Sequence, residues 1–203
     1  MRLVDAKRDQ YRRLAKKEGY RSRSAYKLLQ LDKTYRLLRP GYVVVDFGSA
    51  PGGWLQVSSE KVGRAGVVVG IDLEPIKPIS ENIRLLVGDV LAPATKDELL
   101  KMLPRKADVV LSDLAPDVTG VWQIDHLRQI DLVSKVVDLM PDILRRGGSA
   151  VMKVFEGEAT NQFHRQVKGV FEKVFIAKPP ASRGQASEMY FVALGYRPPV
   201  GRN

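Results

Sequence analysis

The chain is predicted to fold as a doubly wound α/β sandwich, and three observations predict it. From residue 40 onward, apolar runs of strand length alternate with segments of helix length. The run Val43-Val44-Val45-Asp46-Phe47 has no polar residue before Asp46, as in a parallel strand covered on both faces. It leads straight into Gly48-Ser49-Ala50-Pro51-Gly52-Gly53-Trp54, a glycine-rich turn ahead of a helix. Such a corner is where open α/β sheets bind nucleotide-like cofactors.

The elements follow in order. Residues 5–18 are polar and helix-prone, and Ser22 or Ser24 can cap a second helix running to about Leu38. Arg39-Pro40-Gly41 breaks it. The first strand is Val43–Phe47, and Pro51 suits the first turn of the helix near Gly52–Val62. Further strands are predicted at Val67–Asp72, Ile83–Gly88, Asp108–Ser112, Ser149–Val154, Val170–Ile176 and Met189–Gly195. Helices are predicted near Lys96–Leu103, Ile124–Arg145 and Thr160–Gly169. The long one repeats apolar residues at Ile130, Val133, Val136, Val137 and Met140, close to the helical period. Only the loop Lys178–Ser187 separates the last two strands, so they are predicted to pair as an antiparallel hairpin.

At 203 residues the chain is expected to be one domain, long enough to bury a core without disulfides or metal. It has no cysteine, which removes disulfides, zinc–thiolate sites and a cysteine nucleophile. No set of metal ligands is expected. His126 and His164 lack partners at ligand spacing and read as surface or cap residues; Glu156 and Glu158 read as loop carboxylates. The N-terminus lacks a signal peptide's apolar core, and no apolar run approaches the ~20 residues of a membrane span. A cytoplasmic monomer, without membrane attachment, is the expectation.

The charge is unevenly placed. Of the net +10, residues 1–39 carry +9, from 13 lysines and arginines against 4 acids. The chain therefore divides into a basic helical extension, 1–39, packed on a nearly neutral domain, 40–203. A cationic arm on a neutral body is an electrostatic footprint for a polyanion. Arg12, Arg13, Lys16, Lys17, Arg21 and Arg23 are the candidate phosphate contacts. A solubilising surface helix would be the plainer reading of the same charges.

The glycine spacing, Gly48-x-x-x-Gly52-Gly53, is not that of the dinucleotide fingerprint, and no phosphate loop is present. Asp46, Asp72, Asp89 and Asp113 fall at or just past the ends of four successive strands. A rim of carboxylates repels a diphosphate and suits a cationic ligand bearing hydroxyls and an amine. S-adenosyl-L-methionine is such a ligand, and Asp72 stands where an acid can accept from both ribose hydroxyls.

Five segments then carry a resemblance. They are Arg21-Ser22-Arg23-Ser24-Ala25-Tyr26-Lys27-Leu28, Asp46–Trp54, Ser112-Asp113-Leu114-Ala115-Pro116, Met152-Lys153-Val154-Phe155-Glu156-Gly157, and Lys178-Pro179 through Ser182-Arg183 to Ser187-Glu188-Met189-Tyr190. In these the chain resembles the FtsJ/RlmE-type ribosomal RNA ribose 2′-O-methyltransferases, from about Tyr20 to Gly195. The resemblance implies a Rossmann-like class I methyltransferase fold, with a mostly parallel seven-stranded sheet whose last strand is antiparallel. It implies a Lys-Asp-Lys-Glu tetrad at Lys27, Asp113, Lys153 and Glu188. It also implies cofactor contacts at Gly52, Trp54, Asp72, Asp89 and Asp113. The residues agree: Lys27 lies on the apolar arc of its helix with Leu28 and Leu31, facing inward. Glu188 opens a strand that, if antiparallel, begins at the edge where the others end.

Lys153 is then the candidate acceptor of a ribose hydroxyl proton, or the group that aims the oxygen. The implied substrate is a uridine of large-subunit ribosomal RNA, free or in the assembled subunit. Methylation of a tRNA anticodon loop and a non-catalytic role in ribosome assembly are the alternatives.

Overall fold

A computed structural model describes residues 3–182 and 188–199. The elements run α1 (Leu3–Glu18), α2 (Ala25–Tyr35), β1 (Val43–Phe47), α3 (Gly53–Val62), β2 (Val67–Asp72), β3 (Ile83–Val87), α4 (Pro93–Met102), β4 (Ala107–Ser112), α5 (Trp122–Ile143), β5 (Leu144–Phe155), α6 (Thr160–Val170), β6 (Phe171–Ala177) and β7 (Glu188–Tyr196). The strands form one seven-stranded sheet in the order β3-β2-β1-β4-β5-β7-β6. β7 runs antiparallel to both of its neighbours, and the other pairings are parallel. The hairpin forms as predicted, but β7 inserts between β5 and β6.

The apolar alternation sorts the helices onto two faces. Leu99 of α4, the α5 stripe from Val133 to Ile143, and Phe163 and Val167 of α6 cover one face, against Val45, Val110 and Met152. Ala25, Leu28 and Leu31 of α2 join Trp54, Leu55 and Val57 of α3 over Val44, Val68, Leu111 and Val151 on the other. β1 and β4 are buried along their whole length because both faces are covered. α2 thus belongs to the core, although its sequence lies within the basic extension.

Several boundaries differ from expectation. Neither Ser22 nor Ser24 caps α2 through its side chain; their hydroxyls hydrogen-bond each other at 2.5 Å. The helix ends at Tyr35, because Arg36 turns left-handed (φ 53°) and Leu38 donates its N–H to Asp32 Oδ1. α3 begins at Gly53 with Gly52 as its N-cap, so Pro51 lies before the first turn. α4 starts three residues early, with Pro93 in its first turn. Arg145 is strand rather than helix: its guanidinium reaches Asp108 at 2.6 Å, and β5 starts at Leu144.

Candidate active site

The sheet order places the topological switch beside β1, whose neighbours are β2 and β4. There the loops after β1, β2, β3 and β4 surround a cleft of about 310 Å³. Gly48, Ala50, Asp72, Asp89 and Asp113 line it, over an apolar floor that includes Phe47 and Ile71. Asp72 holds two turns together: Oδ2 accepts the Ala50 N–H at 2.8 Å, and Oδ1 accepts that of Glu74 at 3.0 Å. Asp89 Oδ1 accepts the Leu91 N–H at 2.9 Å.

The loop glycines have a reason beyond ligand approach. A Cβ on Gly48, which has φ 73°, would lie 2.9 Å from the Leu114 backbone nitrogen. One on Gly53 would lie 2.3 Å from Ser22 Oγ. These positions let the β4 loop and the α1–α2 connection close over the loop after β1.

Asp46 departs from the predicted rim. It sits one residue short of the end of β1, paired with Gly70 and Leu111, and is wholly buried. Neither of its carboxylate oxygens has a hydrogen-bond partner among the described residues. Burial, then the charges of Asp113 and Asp72, push its carboxyl well above the ordinary range.

Beside the cleft the four tetrad residues come together. Lys153 is 7% exposed, and its Nζ donates to the Asp113 carbonyl at 2.6 Å and lies 3.3 Å from Asp113 Oδ1. Lys27 is 6% exposed, and its Nζ donates to Glu188 Oε1 at 2.7 Å. A snorkelling lysine would reach solvent; this one is paired inside the protein. Tyr190, which sequence reading did not single out as a site residue, joins the pairs. Its hydroxyl accepts from Lys27 at 3.0 Å and donates to Asp113 Oδ1 at 2.9 Å. The register explains the juxtaposition: β5 and β7 pair Lys153 with Tyr190 and Phe155 with Glu188. Burial first, then the charges of Asp113 and Glu188, raise the Tyr190 phenol well above its ordinary range, so it stays a donor. In sequence Tyr190 closed one of the segments that carry the resemblance, two residues after Glu188 and so on the same side of the strand.

Other predicted residues lie elsewhere. Gly52 and Trp54 are absent from the cleft lining. The Trp54 indole is 3% exposed, packs near Tyr190 and donates to the Ser24 carbonyl at 2.8 Å. It ties α3 to the start of the helix that carries Lys27. Arg21 is committed within the chain: its guanidinium donates to the carbonyls of Lys77 at 2.7 Å and Pro78 at 2.9 Å. Arg12, Arg13, Lys16 and Lys17 are exposed on α1, and Arg23 lies near enough to Tyr190 to act on it electrostatically. His126 is buried rather than superficial, and its Nε2 accepts the Ala159 N–H at the start of α6. His164 packs its ring against Phe191. Glu156 pairs with Lys178 at 3.3 Å. Arg183 and Ser187 lie outside the described residues.

A parallel sheet with an inserted antiparallel β7, and an acid-rimmed cleft at its switch point, define a Rossmann-like methyltransferase. The model of the FtsJ-like methyltransferases matches residues 20–196, and the chain belongs to that family. It is 42% identical over 198 residues to a Methanocaldococcus jannaschii protein named ribosomal RNA large subunit methyltransferase E, covering 96% of this chain and 81% of that one. A Nitrosopumilus maritimus protein of the same name is 42% identical, covering 97% and 99%. Among solved structures, one described as a ribosomal RNA methyltransferase from Plasmodium falciparum superposes with a TM-score of 0.79 at 30% identity. The match covers 89% of this chain and all of that one. Among the described residues, no helix is long and apolar enough to cross a membrane.

Proposed function

We propose that the protein methylates a ribose 2′-hydroxyl of RNA from S-adenosyl-L-methionine, and that the target is a uridine of large-subunit ribosomal RNA. The observation that carries this reading is the hydrogen-bonded chain Lys27–Tyr190–Asp113–Lys153 beside the cleft. The names of its relatives supply the RNA class.

The residues present fit the cofactor. Gly48 and Ala50 offer close backbone, Asp72 has lone pairs left for ribose hydroxyls, and Asp89 and Asp113 offer carboxylates to its polar edges. Gly52 and Trp54 keep a supporting role at the base of that loop. When bound, the cofactor supplies an electrophilic methyl group on a sulfonium and departs as a neutral thioether.

The protein's part is positioning and one proton. Asp113 fixes Lys153 through both its carbonyl and its carboxylate, so Nζ has one direction left in which to meet a hydroxyl. Glu188 and Tyr190 fix Lys27 in the same way. A ribose hydroxyl that is methylated must give up its proton, and Lys153 Nζ is the group placed to accept that proton or to aim the oxygen. Holding the reactants in line supplies much of the acceleration, on the order of 7–11 kcal/mol in favourable cases.

The test uses labelled S-adenosyl-L-methionine with total tRNA, free ribosomal RNA and large subunits lacking the modification, followed by mapping of the methylated nucleotide. A 2′-O-methyluridine in large-subunit RNA is expected. Label confined to tRNA moves the substrate to the anticodon loop, and no label anywhere leaves a non-catalytic assembly factor. Lys153→Ala should bind RNA and cofactor yet transfer methyl at least about 100-fold more slowly, within the range general base catalysis supplies. A near-normal rate would remove Lys153 from the chemistry.

A further inference from the structure

The rim beside the tetrad carries an aromatic pair, of which Trp122 is exposed and Phe155 half-buried. Trp122 opens α5 and is 43% exposed, and it stacks on Phe155 with ring centroids 5.5 Å apart and planes 27° from parallel. Phe155 lies two residues beyond Lys153 and directly across from Glu188. Val118 and Val121, on the loop that joins Asp113 to α5, are exposed as well.

The pair is held in fixed relation to Lys153. Gln129, wholly buried on α5, donates to the Lys153 carbonyl at 2.5 Å and accepts the Phe155 N–H at 3.1 Å. The loop before Trp122 is fastened by Asp125, whose carboxylate accepts the Thr119 N–H at 2.7 Å, the Thr119 hydroxyl at 2.8 Å and the Gly120 N–H at 3.2 Å. Those hydrogen bonds, the Thr119 N–H foremost, hold the Asp125 carboxyl below its ordinary range, so the fastening persists at neutral pH. A large apolar ring is thus presented to solvent on a rigid mount, where a floppy loop would have let it fold away.

We propose that Trp122, backed by Phe155, is the surface on which an unpaired base of the RNA substrate stacks, at or next to the ribose presented to Lys153. The inference rests on the RNA methylation reading and adds a substrate contact to it. Lys153 is nearly buried, so a ribose inside a regular duplex cannot reach it, and the nucleotide must leave its stack. The base then needs a new face to cover, and aromatic side chains are what RNA-binding proteins offer to splayed bases. Arg23, just ahead of α2, acts electrostatically on Tyr190, so the site has a cation toward α2 and an aromatic surface toward α5. A nucleotide laid across it has its phosphate near the one and its base on the other.

The chain has two tryptophans, one buried at Trp54 and one exposed at Trp122, which gives a direct optical probe. Titrating the full chain with an eight-nucleotide oligouridylate should quench indole fluorescence, and the quenching should vanish in Trp122→Phe, which retains only Trp54. In steady-state methylation of unmodified large subunits at saturating donor, Trp122→Ala should raise KM for RNA about tenfold. Trp122→Phe, which keeps a ring, should recover most of that loss. An unchanged KM in Trp122→Ala, or quenching that survives in Trp122→Phe, overturns the proposal. If the wild-type protein methylates no RNA, the activity reading fails, and the titration still decides whether Trp122 stacks on a base.

Discussion

Tyr190 shows how much of the site depends on one hydroxyl. It is the link between two ion pairs that would otherwise be independent, and its ring fills core beside Trp54. Tyr190→Phe keeps the ring and removes the link. One hydrogen bond to a charged partner is worth about 1.5–3 kcal/mol, so kcat should fall at least roughly tenfold. KM for RNA and donor should stay within about twofold; a drop in kcat matched by a rise in either KM would instead mean a general disturbance. Asp46 makes a pH prediction. Its folded carboxyl titrates well above the ~4 of an unfolded chain, so the folded state keeps a proton that the unfolded state loses. That contribution is full below about pH 4 and declines by about 1.4 kcal/mol per pH unit as pH rises toward the folded value. Asp46→Asn has no such decline, so its stability relative to wild type should grow with pH across that window. Urea unfolding at a series of pH values measures it, and a difference independent of pH would show that Asp46 is charged in the folded protein. These two residues mark the limit of sequence reading. The helical period turned Lys27 inward, and strand polarity brought Glu188 to the right edge. Tyr190 reads as an ordinary core aromatic until the β5–β7 register is known. Asp46 reads as a rim residue by analogy with the other strand-end acids, but β1 runs on to Phe47, which leaves Asp46 one step inside the sheet.

At the scale of elements, strands were legible because apolar runs bounded by turns leave few choices, and the short connection before β7 dictated a hairpin. The insertion of β7 between β5 and β6 was not legible. Pairing between strands distant in sequence is decided by which edges the helices leave open, not by local pattern. That insertion matters most for the site, since it places Glu188 and Tyr190 against Lys153 and Phe155. The placement of α2 raises a similar point. Its charge marks it as part of the basic arm, yet its buried face and the Trp54 hydrogen bond to Ser24 fasten it to α3. Trp54→Phe removes the indole donor while keeping a ring. The expected stability loss is about 1 kcal/mol from the hydrogen bond, with an added term for lost packing. Because α2 carries Lys27, kcat should fall more than donor affinity. If calorimetry instead shows the donor bound at least tenfold more weakly with kcat intact, Trp54 is a direct cofactor contact, as the resemblance implied.

Over the whole molecule, the charge distribution predicts that holding RNA and acting on it fall to different parts of the chain. Residues 1–39 carry nearly the entire net charge, and Arg12, Lys16 and Lys17 are exposed on α1, while the cleft and every tetrad residue but Lys27 lie in the nearly neutral remainder. Arg21 is exposed too, but its guanidinium already donates to the Lys77 and Pro78 carbonyls beside the cleft. Contacts to phosphate act by releasing counterions, and each changes the logarithmic salt dependence of RNA binding by about 0.7–0.9. Replacing Arg12, Lys16 and Lys17 together with alanine should therefore reduce that slope by about 2–3. Donor affinity should be unchanged, and so should kcat once RNA is saturating, because α1 lies outside the cleft and the tetrad. The Trp122→Ala protein should behave in the opposite manner, losing affinity by a similar factor at every salt concentration, since stacking releases no counterions. RNA binding measured from low to physiological salt thus distinguishes the two kinds of contact within one chain. An unaltered slope in the triple variant would place the phosphate contacts elsewhere and leave α1 as a solubilising helix.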